Sequence, residues 1–158
     1  MKPATAVQLR KEIKFRSKEE LEALCLRLAR FKKENKELLT YLLFEADHEE
    51  SYVAEVKEYI SAQFSEINTS KFYYVKKSIR KILRDTKKFI RYSPVKETEV
   101  ALLLHFCDTM IHFSKSIKRS KTMMALYERQ LLLIEKKIEG LHEDLQHDYI
   151  SELNELPR

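Results

Sequence analysis

Glycine is almost missing from this chain: its 158 residues include one, Gly140. Tight turns between strands draw on glycine, Asn-Gly and Asp-Gly pairs for backbone with positive φ, and no such pair occurs. That argues against a sheet protein. The same scarcity removes the P-loop, the dinucleotide fingerprint and the nucleophile elbow, each of which needs several glycines at fixed spacing. Proline is nearly as rare, at Pro3, Pro94 and Pro157. No run of about 18 uncharged apolar residues, the length of a membrane span, is found. The opening residues Met1-Lys2-Pro3-Ala4-Thr5 lack the apolar stretch of a secretory signal. Only two cysteines occur, Cys25 and Cys107, each within an apolar helical pattern. They read as reduced, packed thiols, which gives a cytoplasmic location as the expectation.

What the chain does hold is apolar residues at helical spacing, amid 35% charged and 44% hydrophobic residues. Disorder is disfavoured, because the apolar residues recur throughout. The length suits a single helical domain over 1–158, with 1–16 a loosely attached, mixed segment. Ser17 and Glu20 form a capping box ahead of a stripe at Leu21, Leu24, Cys25, Leu28 and Phe31. Asn35 marks a break before Leu38, Leu39, Leu42 and Leu43. A third stripe carries Tyr52, Val56, Ile60 and Phe64, and Asn68-Thr69-Ser70 offers the N-cap to a fourth helix reaching about Tyr92. Ser93-Pro94 reads as an N-cap with proline at the first helical position.

A fifth helix follows on Val100, Leu103, Leu104, Cys107, Met110 and Ile111. The last starts near Ser120 and keeps coiled-coil spacing through Met124, Tyr127, Leu131, Ile134, Ile138, Leu141 and Leu145. Extra leucines at Leu126, Leu132 and Leu133 widen its apolar face. The expected fold is therefore all-α: five to six helices in an antiparallel bundle, or a short solenoid-like stack, with a long C-terminal helix. The core should contain Leu24, Leu28, Leu42, Val56, Ile60, Ile79, Leu83, Leu103, Cys107, Leu131 and Ile134.

Charge is unevenly placed. Residues 70–121 carry 14 Lys/Arg against 4 Asp/Glu, whereas 1–69 carry 12 against 13 and 122–158 carry 4 against 8. The formal net of +5 thus conceals a basic centre between two weakly acidic ends. Within it Lys77, Arg80, Lys81, Arg84, Lys87, Lys88 and Arg91 recur at steps of three and four, opposite the apolar stripe and interrupted only by Asp85. Such a run marks an anion-binding surface, unless an acidic helix such as the one bearing Glu49, Glu50, Glu55 and Glu58 lies alongside to neutralise it. Tyr73, Tyr74 and Tyr92 flank the run as candidate stacking rings for nucleic acid. No named nucleic-acid-binding motif accompanies them.

The remaining constellations are weak. Glu45/His48 and Glu139/His142 have the Glu-x-x-His spacing of helical di-iron sites. With 20 glutamates and five histidines one such pair arises by chance, and further inward carboxylates are not apparent. His105, Asp108 and His112 share a helical face without a fourth ligand. Cys107 lies on an apolar stripe, where a nucleophile does not belong. No metal, cofactor or catalytic residue is expected. Two functions follow: a non-catalytic binding module whose basic face docks on a polyanion such as RNA or a ribonucleoprotein, or a protein-interaction or scaffold domain. The second would meet an acidic protein surface or form a homo-oligomer through the C-terminal helix.

Overall fold

A computed structural model describes residues 1–158, which form nine α-helices and no strand. The chain divides into two compact units, Met1–Phe44 and Glu45–Arg158. Nine helices replace the expected five to six because the 1–16 segment is itself helical, the stretch after Phe113 forms a short helix of its own, and the last helix is interrupted after Ile138.

In the first unit α1 spans Ala6–Lys14 and α2 spans Lys18–Phe31. Both open on capping boxes. Ser17 and Glu20 act as their spacing predicts, the Glu20 amide donating to Ser17 Oγ at 3.1 Å and the Ser17 amide to Glu20 Oε2 at 2.9 Å. Thr5 and Gln8 do the same for α1, a signal in the sequence that a reading for glutamate passes over. Helix α2 stops at Lys32, whose extended backbone precedes α3 at Lys33–Thr40. Asn35, at the expected break, reaches back and donates from Nδ2 to the Leu28 carbonyl at 2.8 Å. A single π-helical turn over Tyr41–Glu45 follows.

None of α1, α2 or α3 buries a residue. Leu24, Leu28 and Leu42, expected in the core, are 46%, 61% and 56% exposed. Their period identifies a helix with one apolar face. It does not supply anything to cover that face.

The second unit contains α4 (Glu49–Ser65), α5 (Phe72–Tyr92), α6 (Lys96–Phe113), α7 (Lys115–Arg119), α8 (Lys121–Ile138) and α9 (Glu143–Glu155). Helix α6 is its axis. Residues 100–104 are all buried, so every side of that stretch of the helix is covered, while Asp108 and His112 reach the surface, and α4, α5, α7, α8 and α9 all touch α6. Cross-contacts fix the directions. Tyr52 donates to the Phe89 carbonyl at 2.9 Å and Tyr59 to Asp85 at 3.2 Å, so α4 and α5 run opposite ways. Ser61 meets His105 at 2.8 Å and the rings of Phe64 and Phe113 lie 5.7 Å apart, which makes α4 and α6 parallel. Lys137 pairs with Glu99 at 2.8 Å, setting α8 against α6. Val56, Ile60, Ile79, Leu83, Leu103, Cys107, Leu131 and Ile134 are buried as expected.

The long C-terminal helix is not formed. It ends at Ile138, and α9 folds back, with Tyr127 donating to the Pro157 carbonyl at 2.9 Å and Tyr149 to Glu97 at 2.8 Å. Gly140 keeps a negative φ, so the turn does not exploit its freedom. Instead Gln146 donates from Nε2 to the carbonyls of Glu139 at 3.3 Å and Leu141 at 2.8 Å, satisfying acceptors that a helix end leaves open. Two other caps differ from expectation. Ser93 closes α5 instead of opening α6: it donates to Glu49 and accepts from the Val95 amide at 3.1 Å. Lys71, not Ser70, occupies the cap position of α5, without a side-chain cap bond.

Candidate anion-binding face

The site is built on α5, whose 21 residues extend about 32 Å. Val75, Ile79, Ile82, Leu83 and Thr86 form its buried side, and Thr86 returns its hydroxyl to the Ile82 carbonyl at 2.9 Å. A helix with so clean an apolar side has to place its cations on the other, and the register decides which of them meet.

Arg80, Arg84, Lys87 and Arg91, at steps of four, three and four, line one groove of about 360 Å³ together with Leu83 and with Leu126 of α8. The four cations are exposed and the two leucines buried, so the groove has charged walls and an apolar floor. Lys77 and Lys81, also exposed, form the neighbouring stripe outside it. Lys88 turns away: its Nζ sits 4.7 Å from the centroid of the Phe89 ring, which itself stacks edge-on against Tyr59 of α4 at 5.2 Å.

The acidic α4 does pack against α5, as the neutralising alternative requires. It does not discharge the groove. The structure gives Arg80, Lys81, Arg84, Lys87 and Arg91 no ion pair; the pairs formed in this unit include Lys137–Glu99 and Arg158–Glu135. Asp85, the one acid on α5, accepts the Tyr59 hydroxyl, and Glu49 accepts from Ser93 and Thr98. Three of the four groove cations are arginine, whose planar fork matches the paired oxygens of phosphate or carboxylate.

Of the candidate rings, Tyr92 is buried and unavailable, whereas Tyr73 is 64% exposed. Tyr73 precedes Arg80 by seven residues, two helical turns, and so continues the groove stripe. Tyr74 stacks edge-on against it at 5.6 Å. Leu126 belongs to the site although its sequence context assigns it to a packing seam; only the groove that α5 and α8 share reveals its place.

The other chemistry-bearing groups are occupied structurally. Cys107 is buried, which pushes its thiol up to about 12 and keeps it neutral. His105 shares Nε2 between Ser61 Oγ at 2.8 Å and the Lys57 carbonyl at 3.1 Å. Burial, and secondarily the Lys57 charge, lower its pKa. His112 sits 3.1 Å from Asp108, and His142 caps α9 through the Asp144 amide at 3.4 Å. No group of three or more His, Cys, Asp or Glu side chains converges as a metal site, and no helix is long and apolar enough to cross a membrane. Comparison with known protein families, curated proteins and solved structures finds no match to this chain.

Proposed function

We propose that Glu45–Arg158 is a non-catalytic binding module that docks a polyanion, with a single strand of RNA as its ligand, along the groove of α5. One observation carries this: Arg80, Arg84, Lys87 and Arg91 line a single groove, and no carboxylate pairs with them. Aligned cations without internal partners concentrate positive potential where a phosphate chain can displace its own counterions. Tyr73, on the same stripe, adds a ring on which a base stacks. We read the helices around α6 as an antiparallel bundle that holds this face rigid, and the unpaired state of Cys25 and Cys107 as that of a cytoplasmic protein.

The test is fluorescence anisotropy of a labelled single-stranded RNA titrated with the protein across a salt series. Four phosphate contacts give a log–log slope near −2.8, at about 0.7 per contact. The double reversal Arg84→Glu/Arg91→Glu should abolish tight binding and at least halve the slope, while Lys136→Glu on α8 leaves both in place. The effect should be alike for different base sequences, because backbone contacts carry no sequence information. A parent protein that does not bind, or a double reversal that binds like the parent, overturns the reading. A second reading rests on the apolar floor at Leu83 and Leu126, which also suits an acidic amphipathic segment of a protein partner. It is favoured if the parent ignores RNA and the double reversal loses such a peptide.

A further inference from the structure

The other conspicuous surface lies in Met1–Phe44. A mostly apolar groove of about 270 Å³ runs between α2 and α3, lined by Cys25, Leu28, Ala29, Leu38, Leu39 and Leu42, with Asn35 its one polar member. Leu24 lies in a separate groove with Leu9 and Ile13 of α1, and Phe31, at the end of α2, is 76% exposed. Leu43, four residues after the groove-lining Leu39, extends the exposed apolar surface into the π-helical turn. Taking about 150–250 Å² for a large side chain, the exposed portions of Leu28, Phe31, Leu38, Leu42 and Leu43 amount to roughly 450–750 Å². Isolated exposed leucines are ordinary, but contiguous apolar patches beyond a few hundred Å² mark interaction sites.

We infer that this face is closed by a second copy of the chain, the two α2–α3 hairpins packing face to face about a twofold axis. Area is the first reason: a stable interface takes about 800 Å² from each partner, about 65% of it apolar in homodimers, and the apolar residues of this face supply that share. The second is that no residue of α2 or α3 is fully buried within the chain, so a partner present whenever the chain is would supply the enclosure they lack. Another copy meets that condition at its own concentration. The third is charge. Residues 17–44 carry six Lys/Arg and five Glu, and two of these acids pair within the chain, Glu20 with Arg16 and Glu37 with Lys33. A near-neutral, internally paired hairpin neither repels its copy nor selects an anionic lipid surface or an acidic partner. Two such hairpins make a four-helix arrangement in which each apolar face meets an identical one. The groove of α5 takes no part, so this inference stands apart from RNA binding.

Sedimentation equilibrium of the full chain should give a mass twice its 18.9 kDa. Leu28→Glu should weaken the dimer by about 30-fold or more, as for a central interface residue. Being exposed within the chain, Leu28 leaves no hole when replaced. Leu132→Glu, at the exposed leucine of α8, should keep the dimer mass. In the parent, alkylation of Cys25 should slow as protein concentration rises, a readout that needs no variant. A parent of single-chain mass at every concentration, a Cys25 rate independent of concentration, or a dimer lost through Leu132→Glu but not Leu28→Glu overturns the inference.

Discussion

Leu103→Ala tests whether the middle of α6, residues 100–104, is enclosed on all sides. Leu103 has no exposed surface, and Leu102, Leu104, Phe106 and Cys107 around it are buried as well. Truncation removes three carbons, a transfer loss of about 2.4 kcal/mol at about 0.8 per carbon. Neighbours pinned by α4, α5, α8 and α9 have little room to collapse, so a cavity penalty of about 24 cal/mol per Å³ adds to it. The expected loss is about 3–5 kcal/mol, a large share of the roughly 5–15 kcal/mol that holds a domain together. Urea unfolding followed by near-ultraviolet circular dichroism is the assay. Its tyrosine signal reports on the right unit, because Tyr52, Tyr59, Tyr73, Tyr74, Tyr92, Tyr127 and Tyr149 belong to Glu45–Arg158 and only Tyr41 does not. The midpoint should fall with the urea slope unchanged. A loss under about 1 kcal/mol, where Leu→Ala in a closed core costs about 2–5, would show that α6 has an open side.

At protein concentrations low enough to leave Cys25 uncovered, thiol titration should find it as the one reactive cysteine of the fold, with a second only on unfolding, since burial holds the Cys107 thiol neutral; two rapid equivalents would contradict that packing. Stability should also depend on His105: its folded pKa lies below 6.5, so the unfolded chain takes up the proton first as pH falls. The contribution is complete above pH 6.5 and is lost on acidification through the folded pKa. Urea midpoints of the parent should therefore drop more steeply below that pH than those of His105→Gln, and parallel profiles would discount the His105 contact.

Helices were legible wherever a period and a polar boundary coincide. The cations of α5 were legible too, because a strongly one-sided helix leaves them a single face. Their division was not. Arg80, Arg84, Lys87 and Arg91 meet in the groove while Lys88 lies over Phe89, and only the positions of α8 and α4 decide that. Leu28 and Leu103 sit on equally good stripes, yet one is exposed and the other enclosed. Periodicity reports that a face is apolar, and tertiary contact alone reports what meets it. The break before α9 was hidden for a related reason: Leu141 and Leu145 continue the spacing of α8 across a turn that preserves the pattern while reversing the chain. At Ser93-Pro94 two correct local rules competed, and the hydroxyl went to Glu49 and Val95 instead of to the next helix.

The position of α6 carries a consequence for synthesis. It is wrapped by helices made before it and after it, so α4 and α5 cannot complete its enclosure as the chain emerges. About 40 residues separate its end at Phe113 from the end of α9 at Glu155. At about 5–20 residues per second, some 2–8 s pass before the last wall is made. Through that interval the apolar middle of α6, residues 100–104, waits partly uncovered, a window in which a chaperone or a neighbouring nascent chain competes with α8 and α9 for the same surface.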